Sequence, residues 1–332
     1  MLDFYLSWPE MIRSALSEWG AYRVEGSFRE VVVAGMGGSG VVGDYLQVLA
    51  AERGPLPVHV VKSHLLPRFA GPGSLVLVVS YSGNTLETLV AFKSAVERGL
   101  RAAVISSGGL LEEEAKRRGV LHVKVRGGLV PRASLPLMLY AALGLLDASG
   151  YTVVPRGEAE KSASFLEATR SSALEVSKSL AEWLYSECTK PGRVVVAATH
   201  SPFDVLAVRF KNELSENSKL HVRVEVAPEC MHNDVVGYEA LVARDLCVLE
   251  LVDPTDEAGV KLVDFMESIY RDVVAKTRRL ALVGESALEK LMYGSLVAGL
   301  ASTLLGELRG VDPLETRTIK LYKSRAREIF RV

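Results

Sequence analysis

One short segment of the chain concentrates side chains that can bind an anion. Ser80-Tyr-Ser-Gly-Asn-Thr85 holds three Ser and Thr hydroxyls within six residues, between an apolar run that predicts a buried strand and a helix predicted at 86–98. Unpaired N–H groups and the helix dipole favour an anion at a helix N-terminus. Helix capping would need only one of these hydroxyls. We therefore expect Ser80, Ser82 and Thr85 to surround a phosphate group.

A second turn offers a similar arrangement. Gly35-Met-Gly-Gly-Ser-Gly40 lies between a β-branched run at 30–35, which predicts a strand, and a helix predicted at 40–53. Glycines let a ligand approach the backbone closely, and the helix N-terminus again favours negative charge. Gly37, Gly38 and Ser39 complete the predicted phosphate site.

The same glycines satisfy the G-x-G-x-x-G pattern of dinucleotide-binding folds. Two observations argue against a dinucleotide. The second predicted strand ends in Lys62 rather than in an acid suited to a ribose, and the hydroxyl-rich turn at Ser80 would have no use. A nucleotide P-loop is also disfavoured, because no Lys-Ser or Lys-Thr pair follows the glycines. A small phosphorylated ligand is the favoured interpretation.

These turns require a sheet that aligns them. Predicted strands alternate with predicted helices through 30–148 and again through 192–309, which indicates an α/β fold with two doubly wound parallel-sheet domains in tandem, each flavodoxin-like. We expect an N-terminal domain at 1–152 with an N-terminal helix, and a C-terminal domain at 153–332 with a helical tail.

Composition excludes several classes of partner. The 332 residues carry a net charge of −1, so no overall positive field is available to hold a nucleic acid. The three cysteines form no framework pattern, and the amphipathic N-terminus does not read as a signal peptide. The chain contains no run of 18 or more apolar residues, which a membrane-spanning helix would need. We expect a cytoplasmic protein without a membrane or nucleic-acid partner.

The second half carries polar residues that can do chemistry. Asn212, Ser215, Glu216 and Lys219 share one face of a predicted helix, although a solvated helix surface would look the same. His232 follows in the loop Pro228-Glu-Cys-Met-His-Asn-Asp234, and a lone histidine is usually structural. These patterns alone do not assign a function.

A family resemblance combines the segments. Gly37-Gly-Ser39 with Ser80-Tyr-Ser-Gly-Asn-Thr-Leu-Glu87 resembles the sugar isomerase (SIS) domain, which binds phosphorylated sugars. Glu216-Asn-Ser-Lys219, His232-Asn-Asp-Val-Val-Gly237 and the tail, Gly310-Val-Asp-Pro313 followed by Lys323, resemble the active-site segments of the bifunctional phosphoglucose/phosphomannose isomerases of archaea and some bacteria. The resemblance covers essentially the whole chain, in the right order.

The resemblance implies a role for each residue. Glu216 matches the base that moves a proton between the first two carbons of the sugar, a task suited to a partly buried carboxylate. His232 and Lys323 match the pair that opens the sugar ring, with His232 contributed by the neighbouring subunit of a homodimer. Arg132 matches an arginine that stabilises the enediolate. Thr316 resembles a threonine linked to acceptance of the mannose epimer.

Two departures from the family pattern leave alternatives open. Asp234 stands where Glu is frequent, and the tail at 314–319 lacks a Pro-rich pattern, so that Lys320 competes with Lys323. Arg132 has a simpler interpretation as a surface arginine in a Pro-rich loop. The implied mechanism uses no cofactor and no metal, and the histidines show no metal-ligand spacing.

The resulting expectation is an aldose–ketose isomerase. It would interconvert glucose 6-phosphate and fructose 6-phosphate, and mannose 6-phosphate with the same ketose, through a cis-enediolate. The alternative is a non-catalytic sugar-phosphate sensor, which would keep the phosphate-binding turns but have no use for Glu216. Aminosugar synthesis is disfavoured, because the chain has no N-terminal cysteine nucleophile.

Overall fold

The computed structural model describes residues 1–239 and 243–330, and every strand pairing within them is parallel. The strands are β1 (Glu30–Gly35), β2 (Val58–Val61), β3 (Ser74–Val79), β4 (Arg101–Ser106), β5 (Leu121–Lys124), β6 (Val194–His200), β7 (Val222–Ala227), β8 (Leu246–Val252) and β9 (Lys276–Ala281).

Helices connect these strands. They are α1 (Leu2–Leu6), α2 (Trp8–Ser17), α3 (Gly37–Arg53), α4 (Leu86–Glu97), α5 (Gly109–Arg117), α6 (Leu135–Ala148), α7 (Arg156–Trp183), α8 (Asp204–Ser218), α9 (Glu257–Tyr270), α10 (Ala287–Leu308) and α11 (Arg317–Phe330). Short 3₁₀ turns at Pro131–Ser134, Glu229–His232 and Asp234–Tyr238 hold further residues of interest.

The chain divides into two compact units. The first unit comprises Ser7–Ser164 and Thr316–Val332, and the second comprises Met1–Leu6 and Phe165–Glu315. Each unit contains one parallel sheet with helices, which confirms the predicted fold class.

The first unit is built on a sheet with the strand order β2-β1-β3-β4-β5. All six residues of β3 are buried, as expected for a central strand covered on both faces. On one face, Val76 and Val78 pack with Phe92 of α4 and Leu111 of α5. This packing fixes the start of α4, which follows the hydroxyl-rich turn.

The second unit repeats the plan with the order β7-β6-β8-β9. Val196 and Val248 pack on one face with Met266 and Tyr270 of α9. Helices α8 and α10 pack closely together, since an ideal Cβ on Gly294 of α10 would lie 2.3 Å from Cδ2 of Leu206 on α8.

The two terminal helices group with sheets that are distant in sequence. From the sequence, the N-terminal helix is expected to belong to the first half and the tail to the second. In the structure, α1 belongs to the second unit and α11 to the first. The amphipathic N-terminal stretch breaks at Ser7 because Pro9 starts a new helix, α2. The domain boundary near residue 152 stays a prediction.

Helix α10 is long and apolar enough to cross a membrane by length and composition. However, 83% of its apolar window is buried inside the structure, as in the core helix of a soluble protein. No other helix in the described part of the chain meets the same criteria.

The fit of α1 against α10 gives a test of packing. An ideal Cβ on Gly299 would lie 2.2 Å from Cε1 of the fully buried Tyr5. We expect Gly299→Ala to lower the free energy of unfolding by about 1–3 kcal/mol, because the ring must move. Denaturant unfolding would measure this.

The matched control is Gly157→Ala in α7, where an added Cβ meets no atom within 4 Å. This variant should be neutral, or more stable by up to about 1 kcal/mol, from helix propensity. Equal effects of the two substitutions would contradict the packing explanation.

Candidate active site

The two predicted anion turns lie side by side in the first unit. The strand order reverses between β1 and β3, which pair in register from Glu30↔Ser74 to Gly35↔Val79. Both strands end at the same edge, so the turns that follow them meet there. Ligands of open α/β sheets bind at such a switch point.

A side-chain hydrogen bond joins the two turns. The hydroxyl of Ser39 is buried and accepts the backbone N–H of Tyr81 at 2.9 Å. Helix α3 begins at Gly37, three residues earlier than predicted, so that Gly37, Gly38 and Ser39 form its first turn. The first turn of α3 therefore lies at the point where the strand order reverses, in contact with the turn after β3.

The hydroxyls of the second turn do not cap α4. Thr85 occupies the N-cap position, but its side chain makes no capping hydrogen bond. The Ser80 hydroxyl donates to Oγ1 of Thr85 at 3.3 Å, and the Ser82 hydroxyl accepts the N–H of Asn84 at 3.3 Å. Simple capping does not account for these hydroxyls, which leaves the start of α4 available to an anion.

Neighbouring segments brace the second turn. Tyr81 is buried, and its hydroxyl donates to the carbonyl of Arg126 at 3.0 Å and accepts the N–H of Leu129 at 2.9 Å. Burial raises the pKa of Tyr81. The Asn84 side chain accepts the N–H of Leu110 at 3.0 Å. Sequence patterns did not identify these bracing roles, because they depend on contacts between distant loops.

Arg132 lies beside the first turn of α3. It belongs to the Pro131–Ser134 turn and is 5% exposed, so its interpretation as a surface arginine is wrong. An ideal Cβ on Gly38 would lie 2.8 Å from both the Cα and the N of Arg132. Only glycine permits this approach of the two backbones. The Trp8 indole holds the same segment by donating to the carbonyl of Ala133 at 2.9 Å.

Lys62, which follows β2, forms an ion pair in this region. Its Nζ lies 2.6 Å from Oδ2 of Asp44 on α3. Burial raises the pKa of Asp44, and the hydrogen bond from Lys62 opposes that effect. The strand end therefore holds a cation and not the acid that a dinucleotide ribose would need.

The C-terminal helix reaches the same edge of the first unit. The Tyr322 hydroxyl donates to Oε1 of Glu87, a buried residue in the first turn of α4. This hydrogen bond, together with burial and the charge of Glu87, raises the pKa of Tyr322 to about 12. Lys323 is the next residue along α11 and is exposed.

Helical periodicity distinguishes the two tail lysines. The side of α11 that packs on the first unit holds the buried Ala326, with Phe330 against His64 one turn later. Lys323 lies one turn before Ala326 and is nearer to this side than Lys320. Thr316 precedes the helix, is half-buried, and accepts the N–H of Lys320 through its carbonyl at 3.0 Å.

Glu216 lies in the second unit, in the last turn of α8, and is half-buried. The helix ends at Lys219, which has a left-handed backbone with φ of 55°. Nζ of Lys219 donates to the carbonyls of Glu216 and Asp312, each at 2.7 Å. The Lys219 side chain therefore ties the last turn of α8 to the segment at Asp312.

His232 ends the Glu229–His232 turn of the second unit and is exposed. Asn233 braces the loop, since its Nδ2 donates to Glu229 at 2.8 Å and its Oδ1 accepts the N–H of Asp234 at 2.6 Å. Asp234, which departs from the family pattern, accepts a hydrogen bond from Arg223. The loop thus presents the His232 ring outward on a braced backbone.

A buried tyrosine–glutamate pair anchors the same loop. The Tyr238 hydroxyl donates to Oε2 of Glu225 at 2.9 Å, and Glu225 is 2% exposed. Burial raises the pKa of Glu225, while Tyr238 and Arg223 oppose that effect. The alternating pattern of β7 gives no reason to expect a buried acid, so this pair could not be predicted from the sequence.

The structure thus gathers part of the predicted site within the first unit. The turn residues Gly37, Gly38, Ser39, Ser80, Ser82 and Thr85 lie at one edge with Arg132. Helix α11, which carries the exposed Lys323, contacts α4 through Tyr322. Glu216 and His232 belong to the second unit. Within residues 1–239 and 243–330, no group of three His, Cys, Asp or Glu side chains could hold a metal ion.

Comparison with known proteins places this architecture in a class. Residues 174–325 match the family model described as the bacterial phospho-glucose isomerase C-terminal SIS domain. The C-terminal domain of glucosamine-fructose-6-phosphate aminotransferase from Francisella tularensis has a TM-score of 0.75 at 14% identity, covering 94% of this chain and 97% of that chain. The fold is therefore that of tandem sugar isomerase (SIS) domains.

Full-length relatives define the family. The chain is 35% identical to the bifunctional phosphoglucose/phosphomannose isomerase of Aeropyrum pernix, over 100% of this chain and 99% of the relative. It is also 27% identical to D-glucosamine-6-phosphate 4-epimerase from Sulfolobus acidocaldarius, over 99% of both chains. The chain belongs to the bifunctional phosphoglucose/phosphomannose isomerase family.

The buried Glu225 gives a pH-dependent prediction. Its pKa in the folded state is raised from the ordinary value of 4.5, so its contribution to stability is present below about pH 4.5 and is lost as pH rises through the folded pKa. We expect Glu225→Gln to gain stability relative to the native chain as pH rises across this window, because the amide has no proton to lose. Denaturant unfolding between pH 4 and pH 8 would measure the difference.

The exposed Glu239 provides the control for a change in net charge. Glu239→Gln should change stability by a similar amount at every pH. A constant difference between Glu225→Gln and the native chain would contradict the assignment to Glu225.

Proposed function

We propose that this protein interconverts glucose 6-phosphate and fructose 6-phosphate, and mannose 6-phosphate and fructose 6-phosphate, by proton transfer through a cis-enediolate. The observation that carries the proposal is the pair of joined helix N-termini at the switch point, where the Thr85 side chain makes no capping hydrogen bond. The chain is also 35% identical to a relative named for both activities. Such a role belongs to glycolysis and gluconeogenesis in the cytoplasm.

The phosphate of the substrate would lie on the two turns of the first unit. The backbone N–H groups that begin α3 and α4 provide donors and positive dipole ends, and Ser80, Ser82 and Thr85 add hydroxyl donors. Turns that are already held by hydrogen bonds lose little conformational entropy when a ligand binds, so this site suits a rigid phosphate anchor. Anchoring C6 leaves C1 and C2 of the sugar for the catalytic groups.

Glu216 would act as the base. For the aldose, its carboxylate takes the proton from C2, and the electron pair of that bond forms the enediolate. Return of that proton to C1, together with transfer of the hydroxyl proton from O2 to O1, completes the ketose, so no proton or electron is gained or lost. The half-buried position of Glu216 at a fixed helix end suits this repeated transfer.

Arg132 would stabilise the negative charge of the enediolate. Its buried position beside Gly38 fixes the guanidinium-bearing segment close to the phosphate turns. Thr316 would assist acceptance of the mannose epimer, as the family resemblance implies.

His232 and Lys323 would open the sugar ring. One of them takes the proton of the anomeric hydroxyl, the bond between the anomeric carbon and the ring oxygen breaks as the carbonyl forms, and the other gives a proton to the ring oxygen. The His232 ring is exposed, on a loop braced by Asn233. A histidine held outward on a braced loop fits donation to another subunit, so we include a homodimer in the proposal.

The decisive experiment follows fructose 6-phosphate in deuterated water by NMR. We expect glucose 6-phosphate and mannose 6-phosphate to appear, with deuterium at C2 of part of the product. Glu216→Gln should lower kcat at least about 100-fold, because the amide cannot accept the proton. Glu257→Gln, at an exposed acid of the same unit, is the control and should keep full activity.

Each other outcome has a defined meaning. Absence of both aldoses would favour a sugar-phosphate sensor, and fully active Glu216→Gln would remove this residue from catalysis. Conversion of D-glucosamine 6-phosphate at C4, without aldose formation, would instead assign the activity named for the Sulfolobus relative.

The choice between the tail lysines has its own test. We expect Lys323→Met to lower kcat at least about tenfold, because loss of a proton-transfer group slows ring opening. Lys320→Met, with its side chain farther from the packed side of α11, should stay within about twofold of the native enzyme. Steady-state kinetics with glucose 6-phosphate would compare them, and a larger loss in Lys320→Met would reassign the role.

A further inference from the structure

A polar network lies buried in the second unit, where α1, α8 and α10 meet. Oε2 of Glu213 accepts hydrogen bonds from the Tyr5 hydroxyl at 2.6 Å and from the Asn217 side chain at 2.8 Å. Oε1 of Glu213 lies 2.5 Å from Nη2 of Arg209, and the Asn217 amide also donates to the Ser302 hydroxyl at 2.9 Å. These five side chains are each 0 or 1% exposed.

Burial makes this network rigid. A carboxylate and a guanidinium withdrawn from water are tolerated only when their hydrogen-bonding groups are well placed, so each partner restricts the others. Burial, followed by the charge of Glu213, raises the pKa of Tyr5 well above its ordinary value, which keeps the phenol protonated as a donor. The proposed phosphate chemistry makes no use of these groups.

The network holds the turn of α8 that carries Glu216. Glu213 and Asn217 are one turn apart and bond to each other, and Glu216 lies between them on that turn. The carbonyl of Asn217 also packs against α10, since an ideal Cβ on Gly306 would lie 2.6 Å from it. The inner side of the turn is fixed to two other helices, while Glu216 remains half-buried on its outer side.

We propose that Tyr5, Glu213 and Asn217 are positioning residues for Glu216, and that the short helix α1 is therefore part of the catalytic apparatus. The inference rests on the proposed function of Glu216. Proton transfer depends steeply on the distance and angle between base and carbon, so a small shift of this turn would slow it. Substrate affinity would change little, because the phosphate turns belong to the first unit.

The test is Tyr5→Phe, which keeps the ring but removes the donor to Glu213. The control is Tyr140→Phe in the first unit, which removes an equally buried hydroxyl bonded to Ser162 at 2.5 Å. Isomerisation of fructose 6-phosphate in deuterated water yields two quantities. One is kcat and KM, and the other is the share of product that carries the original proton at C2 rather than solvent deuterium.

The second quantity does not depend on how much enzyme is folded. We expect Tyr5→Phe to lower kcat at least about tenfold, to leave KM within about twofold and to shift the proton share, while Tyr140→Phe leaves the proton share unchanged. Ser302→Ala, which removes the acceptor for the Asn217 amide, should shift the proton share in the same direction. This variant replaces Tyr5→Phe in the test if Tyr5→Phe does not fold.

An unchanged proton share in the folded variants would overturn the inference, even if total activity fell. Glu216→Gln, measured alongside, separates the two proposals. A fully active Glu216→Gln variant would overturn the proposed role of Glu216. If Glu216→Gln is inactive but Tyr5→Phe has the kcat and proton share of the native enzyme, only the positioning role is overturned.

Discussion

The hydrogen bond from the backbone N–H of Tyr81 to the buried Ser39 hydroxyl is the constraint on which the first unit depends. It joins the turns after β1 and β3, two adjacent parallel strands, and so fixes the starts of α3 and α4 relative to each other. Neither helix N-terminus alone is a specific anion site. Held together, with hydroxyls and a buried arginine beside them, they form the surface on which the proposed phosphate site rests.

Much of this arrangement follows from local sequence. The β-branched run that ends at Gly35 and the apolar run that ends at Ser80 specify buried strands, and the alternation of strands and helices specifies the parallel sheets. The glycine positions also carry information, because Gly38 permits the approach of the Arg132 segment. The positions of the two turns were predictable because each is formed by contiguous residues.

Long-range contacts were not predictable in the same way. Tyr5 and Glu213 are 208 residues apart, and Tyr238 and Glu225 join a loop to a strand. In the sequence, Arg209, Glu213 and Asn217 look like ordinary polar residues of an amphipathic helix. Their burial depends on which helices pack against α8, and no local pattern determines that. The predicted site therefore included Glu216 on the outer face of α8 but no residue of its inner face.

The grouping of the terminal helices has a consequence for biosynthesis. Helix α11 belongs to the first unit although 151 residues of the second unit, Phe165–Glu315, precede it in the chain. During translation, the first sheet can form early, but the contact between Tyr322 and Glu87 must wait until α11 leaves the ribosome. The tail that carries Lys323 is thus added last to a preformed scaffold, and the edge formed by the two joined turns can fold before the tail helix is present.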